Sequence, residues 1–168
     1  MKVLIDSEAI QRRVAELGTQ ISRDYEGKEV AVVGILKGSF IFMGDLIRRL
    51  TVPVTCDFIR CSSYGDSKES SGHVRLDFDT TQPMGAKHVL LVEDIIDTGL
   101  TMNYLLENFH TRHPASLKVC ALLQKPDRTK VQVPIDYLGF SIPDAFVVGY
   151  GLDYAGKHRN LGHIAVVE

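Results

Sequence analysis

Residues Val89–Thr101 read VLLVEDIIDTGLT, and this stretch decides the architecture. An apolar run, Val89 to Val92, meets two adjacent carboxylates, Glu93 and Asp94, and then a glycine-containing turn rich in hydroxyls, Asp97-Thr98-Gly99-Leu100-Thr101. Dense apolar runs bounded by polar turns belong to strands buried on both faces. Beyond the turn, Leu105, Leu106 and Phe109 fall on one helical face. The stretch therefore predicts strand, turn and helix. Ligands of open α/β sheets bind at such turns, outside the carboxyl ends of the strands.

The same alternation repeats on either side. Ser7 can cap a helix whose apolar positions Ile10, Val14, Leu17 and Ile21 share a face, and Gly27 closes it. Glu29 to Leu36 is a β-branched and apolar strand candidate, followed by Lys37-Gly38-Ser39 and a helix ending near Leu50. Val54 to Ser62, Leu117 to Leu123 and Tyr137 to Phe140 are further strand candidates, and Asp144 to Glu168 mixes short strands with turns. Strands alternating with helices predict an α/β fold with a mainly parallel sheet. Tyr64 to Gly72, YGDSKESSG, is too polar to bury itself and reads as a surface loop suited to a lid.

Bulk properties exclude several classes. At 168 residues the chain predicts a single domain over 1–168. With 45% hydrophobic residues, 24% charged residues and a net charge of -2, it has no global attraction to nucleic acid or to membrane, so any anion must be held locally. The apolar run Val30 to Met43 is broken by Lys37 and too short for a bilayer, and no signal-peptide pattern precedes it, which predicts a cytoplasmic protein. Cys56, Cys61 and Cys120 lack CxxC spacing and read as reduced core thiols. His110 and His113 have chelating spacing, but Pro114 follows at once and no partner ligand is near.

The chemistry of the central turn is constrained by its charges. Its backbone amides and the hydroxyls of Thr98 and Thr101 suit a phosphate on the N-terminus of the next helix, with Gly99 allowing close approach. Glu93, Asp94 and Asp97 would repel a bare phosphate unless hydroxyls or a divalent cation intervene. A phosphorylated sugar with free hydroxyls, bound with Mg²⁺, resolves the conflict. Taken singly, these acids and threonines would be ordinary helix caps. As an ordered set behind a buried strand they are far more specific, and a GK[ST] phosphate loop is absent.

VEDIIDTGLT, Val92 to Thr101, resembles the phosphoribosyl pyrophosphate motif of the type I phosphoribosyltransferases, and the likeness to the hypoxanthine-guanine branch runs through nearly the whole chain. The resemblance implies a mainly parallel sheet flanked by helices, a small hood built from the N- and C-terminal segments, and a flexible loop at about 63–72. It implies that Glu93 and Asp94 hold ribose hydroxyls and metal, and that Asp97, Thr98, Gly99, Leu100 and Thr101 hold the 5-phosphate. Lys37 and Gly38, in a loop with a possible cis peptide after Leu36, and Arg159 are implied to contact pyrophosphate. Ser63 and Tyr64 match the catalytic loop. Lys125 is placed as donor to the purine O6, and an ammonium, which only donates, favours a 6-oxopurine over adenine. Phe146 is implied to stack on the base, Val147 to meet its edge, and Asp153 to lie beside base and metal. Asp97 is the candidate acceptor of the purine proton at N7. Lys125 before Pro126 and Phe146-Val147-Val148 would otherwise read as solvated loop and core. Leu100 and Ser39 depart from common residues of the family, lysine and glycine, and Ala155 to His158 is less typical. The implied substrates are phosphoribosyl pyrophosphate and hypoxanthine or guanine, the cofactor Mg²⁺, and the assembly a homodimer or homotetramer, with the apolar helix from Phe40 to Leu50 as a contact surface. A regulatory nucleic-acid-binding relative predicts a basic face, for which the sequence offers no arginine-rich stretch.

Overall fold

The computed structural model describes residues 1–63 and 74–168. Tyr64, and with it all of the expected loop except Ser63, lies outside the described residues.

A six-stranded sheet runs in the order β4-β3-β2-β5-β6-β7, where β2 is Val30–Leu36, β3 Val54–Ser63, β4 Val74–Phe78, β5 His88–Ile96, β6 Ser116–Gln124 and β7 Tyr137–Ser141. All pairings are parallel except that of β4 with β3, which is antiparallel. The pleat explains why β2 and β5 are apolar throughout. Val30, Val32, Leu90 and Val92 face one buried cluster, with helices α1 (Ser7–Asp24) and α2 (Phe40–Ile47). Ala31, Val33, Val89 and Leu91 face the other, with helix α3 (Leu100–His110). Strand order reverses between β2 and β5, so the turns after these two strands border one crevice, the usual ligand site of such sheets.

A second sheet joins both ends of the chain. β1 (Lys2–Ile5) and β8 (Val147–Val148) both pair antiparallel with β9 (Ile164–Val166). Val147 and Ile164 share their buried cluster with Val32 and Leu90, so this small sheet packs onto the main one.

Several expectations need correction. The cap of α1 is Asp6, whose carboxylate accepts from the Ala9 amide at 2.8 Å, and not Ser7, which is the first helical residue. The strand expected to stop at Val92 continues to Ile96, because β6 pairs with it as far as Ile96↔Gln124. In α2, Phe42, Met43 and Leu46 are buried in the core, while Phe40 is exposed and Ile41, Ile47 and the following Leu50 are partly buried. All three cysteines are free, but Cys56 is exposed and only Cys120 is buried. Burial pushes the Cys61 thiol up to about 11.

Candidate functional site

The central turn is built from the backbone outward. Gly99 caps α3 with φ 86, a left-handed conformation, and a Cβ there would lie 2.2 Å from the Val131 carbonyl oxygen. The turn is fixed from behind, since Lys130 and Val131 both donate their amides to the Thr98 carbonyl, at 2.9 and 3.1 Å. No side chain at the N-cap satisfies the first amides of α3, and Thr98 Oγ1 reaches the Leu100 amide only at 3.4 Å. These amides thus remain available to an anion. A cleft of about 140 Å³ lies over them, lined by Glu93, Asp94, Asp97, Thr98, Gly99 and Thr101.

Glu93 and Asp94 differ despite being neighbours. Glu93 is buried, its Oε1 accepting the Asp94 amide at 3.1 Å. Burial, and then the adjacent Asp94 carboxylate, pushes the Glu93 carboxyl well above its ordinary range. Asp94 is half-buried and accepts the Ile95 amide at 2.7 Å. Its other oxygen occupies the space beside Gly38, where a Cβ would lie 1.7 Å away. Gly38 therefore lets the turn after β2 close onto the end of β5.

That turn begins with a cis peptide between Leu36 and Lys37, as the resemblance implied. Ser39, fully buried, donates its hydroxyl to the Ile35 carbonyl at 2.7 Å, while Lys37 is exposed. Gly151, with φ 102, seats against the Gly38 carbonyl oxygen, which a Cβ at Gly151 would meet at 2.3 Å. Arg159 donates to the Gly151 carbonyl at 2.6 Å and pairs with Asp153 at 2.9 Å. Lys37, Gly38, Asp153 and Arg159 are thereby linked across the crevice, although in this state Arg159 is turned toward Asp153.

The opposite wall is a second cleft of about 200 Å³, lined by Asp94, Ile95, Asp97, Lys125, Phe146, Val147, Leu152 and Asp153. Asp94, Ile95 and Asp97 line both clefts, so the two adjoin along the end of β5 and the turn after it. Lys125 is buried at the end of β6, held by its amide on the Ile96 carbonyl at 3.0 Å. Its ammonium stands 4.0 Å from Asp97 and 3.8 Å from Asp144. Arg128, on the 3₁₀ turn after Lys125, bonds Asp97 at 3.0 Å and approaches Asp144 at 4.0 Å. Phe146 is 53% exposed and presents its ring, while Val147 is buried in β8.

The structure thus brings Lys37, Gly38, Glu93, Asp94, Asp97, Thr98, Gly99, Leu100, Thr101, Lys125, Phe146, Val147, Asp153 and Arg159 to one crevice. Ser63 ends β3, paired with Val74, and Tyr64 lies outside the described residues. The expected metal set of Glu93, Asp94 and Asp153 does not converge: among the described residues no group of three His, Cys, Asp or Glu side chains is arranged to hold an ion. Glu93 is buried on Asp94, and Asp153 is engaged with Arg159 and with the Gly156 amide at 2.8 Å. Asp94 and Asp153 nonetheless both reach the cavity, and one or two carboxylates completed by substrate oxygens and water form an ordinary Mg²⁺ environment. Arg128 and Asp144 escaped the sequence reading.

Comparison with known proteins agrees with this geometry. The family profile described as phosphoribosyl transferase domain matches residues 3–155. The chain is 48% identical to the hypoxanthine phosphoribosyltransferase of Haemophilus influenzae, over 98% of this chain and 94% of the relative. It is 45% identical to the hypoxanthine-guanine phosphoribosyltransferase of Bacillus subtilis, over 99% and 93%. A crystal structure of a hypoxanthine-guanine phosphoribosyltransferase from Bacillus anthracis, with a HEPES molecule in its active site, superposes with a TM-score of 0.96 at 49% identity, covering 100% of this chain and 99% of that one.

Proposed function

The chain belongs to the phosphoribosyltransferase family, and from that premise we propose that it transfers the 5-phosphoribosyl group of phosphoribosyl pyrophosphate to N9 of hypoxanthine or guanine, releasing pyrophosphate with IMP or GMP, in purine salvage. The observation that carries this reading is that the two clefts adjoin: Asp97 lines both the anion-ready turn and the wall bearing Lys125 and Phe146.

In this reading the bond from the ribose C1 to pyrophosphate oxygen breaks while the bond to purine N9 forms, and the purine loses a proton. The amides of the Asp97–Thr101 turn, with the Thr98 and Thr101 hydroxyls, hold the 5-phosphate. Glu93 and Asp94 face the ribose hydroxyls, and Asp97 accepts the proton at N7. Lys125 donates to O6, Phe146 stacks on the ring, and Val147 offers its backbone to the far edge. The backbone of Lys37 and Gly38, with Arg159, holds the leaving pyrophosphate. Asp94 and Asp153, with substrate oxygens, would hold Mg²⁺, which when bound would supply charge neutralisation on the departing group. Arg128 bonds one Asp97 oxygen, Oδ1, at 3.0 Å. The family likeness supports a cytoplasmic homodimer or homotetramer. Among the described residues no helix is long and apolar enough to cross a membrane.

The test is a spectrophotometric assay with Mg²⁺ and phosphoribosyl pyrophosphate against hypoxanthine, guanine, xanthine and adenine in parallel. Conversion of hypoxanthine or guanine, and not adenine, is expected. Tight phosphoribosyl pyrophosphate binding with no base converted would overturn the reading in favour of a regulatory role.

A further inference from the structure

Tyr154 has no part in the chemistry above, yet its ring is one of two exposed aromatic rings that meet at the mouth of the cavity. Phe146 is 53% exposed and Tyr154 55%, with ring centroids 5.5 Å apart and planes at 81°. Phe146 lines the cavity together with Lys125, Val147 and Asp153, whereas Tyr154 does not. Tyr154 therefore packs against Phe146 without itself lining the cleft.

We infer that Tyr154 is a positioning residue for the purine subsite, holding the Phe146 ring in the orientation on which a planar base stacks. The inference rests on the proposed function, in which Phe146 is that stacking surface. An exposed phenylalanine with solvent over half its surface has freedom about its side-chain torsions, and ordering it on binding costs affinity. A perpendicular aromatic neighbour removes part of that freedom in advance.

Tyr154 can serve this way because its own backbone is fixed. Tyr154 and Lys157 exchange two backbone hydrogen bonds, each 3.0 Å, across a turn in which Ala155 and Gly156 both have positive φ, 50 and 79. This is the tight hairpin geometry whose two central residues take left-handed conformations. Asp153 anchors the turn, one carboxylate oxygen accepting the Gly156 amide at 2.8 Å and the other pairing with Arg159 at 2.9 Å. The stacking ring is thus tied, through one hairpin, to the Asp153–Arg159 pair on the pyrophosphate side of the crevice. The less typical segment Ala155 to His158 acquires a purpose as the device that sets Tyr154.

The experiment is steady-state kinetics of the full chain, with each substrate varied against saturating amounts of the other, for the wild type, Tyr154→Ala and Tyr154→Phe. Loss of the aromatic contact should raise the KM for hypoxanthine by about two- to tenfold in Tyr154→Ala, with kcat and the KM for phosphoribosyl pyrophosphate within about twofold of wild type. Tyr154→Phe, which keeps the ring, should restore the wild-type KM for the base. An unchanged base KM in Tyr154→Ala, or equal loss in kcat and both KM values, overturns the inference, as does a Tyr154→Phe variant as impaired as Tyr154→Ala. A wild type that converts no purine removes the proposed function and this inference with it. An active wild type indistinguishable from Tyr154→Ala removes the inference alone.

Discussion

The anion cleft comes from a single stretch, Glu93 to Met102, whereas the neighbouring cleft adds to Asp94, Ile95 and Asp97 of that stretch Lys125, Phe146 and Val147, and Leu152 and Asp153, from three separate segments. The first side needs that β5 be central and that a glycine open the turn, with the Lys130 and Val131 amides its brace from a distant segment. The second exists only after β6, the small sheet and the tail hairpin have been placed against each other. Local sequence therefore encodes the anion end, while tertiary packing encodes the purine wall.

The comparison breaks most readily where the two sides touch. Gly38→Ala places a methyl in the space of an Asp94 oxygen, so either the turn after β2 or the Asp94 carboxylate must move. We expect kcat/KM to fall by about 10²-fold, the scale of a misplacement near 1 Å at a reacting centre. Asp97→Asn should leave fold and substrate binding intact and slow turnover by roughly 10²-fold or more, the usual scale for a lost general base. Single-turnover rates measure both, and an unchanged chemical step in Asp97→Asn removes that residue from the role.

Lys125→Ala sharpens the comparison, because Lys125 lines the assembled wall and not the anion cleft. A charge-assisted hydrogen bond is worth about 1.5–3 kcal/mol, so the KM for the base should rise by roughly ten- to a hundredfold. The KM for phosphoribosyl pyrophosphate should change much less. Equal weakening of both substrates would mean that Lys125 supports the fold, with Asp97 and Asp144 losing a shared cation.

The same division explains what the sequence revealed. β2, β5 and β6 were visible because parallel central strands are buried on both faces and so apolar throughout. β4 was not, since this antiparallel edge strand buries Val74 and Leu76 only partly, with exposed polar residues at Arg75 and Asp77. β1 is four residues long and gains its partner, β9, from the far end of the chain. The extension of β5 to Ile96 was obscured by Glu93 and Asp94, which look like turn residues until β6 pairs beside them. In the site, the turn residues followed from their order alone, while Lys125, Phe146 and Val147 were found through family resemblance. Arg128 and Asp144 carried no local signal of any partnership, because the ion pairs that define them span long sequence separations.

The smallest expected effect tests how the assembled side is anchored. Tyr150, buried, follows β8 and donates its hydroxyl to Asp45 on α2, which also accepts from Gln11 at 3.3 Å and pairs with Arg48. Burial alone raises the Asp45 carboxyl, but the hydrogen bonds from Tyr150, Gln11 and Arg48, with the Arg48 charge, outweigh it and hold Asp45 below its ordinary value. A carboxylate depressed in the folded state contributes stability above its unfolded pKa, and that contribution is lost as pH falls through the folded one. Asp45→Asn should therefore lower Tm at pH 7 by about 2–4 °C, a modest figure because the ion pair is partly exposed and screened. The gap between variant and wild type should narrow as pH drops below the ordinary carboxylate range. A Tm difference that stays constant with pH would show that the ionised form of Asp45 does not hold the tail to α2, and that the assembled wall depends on its apolar contacts instead.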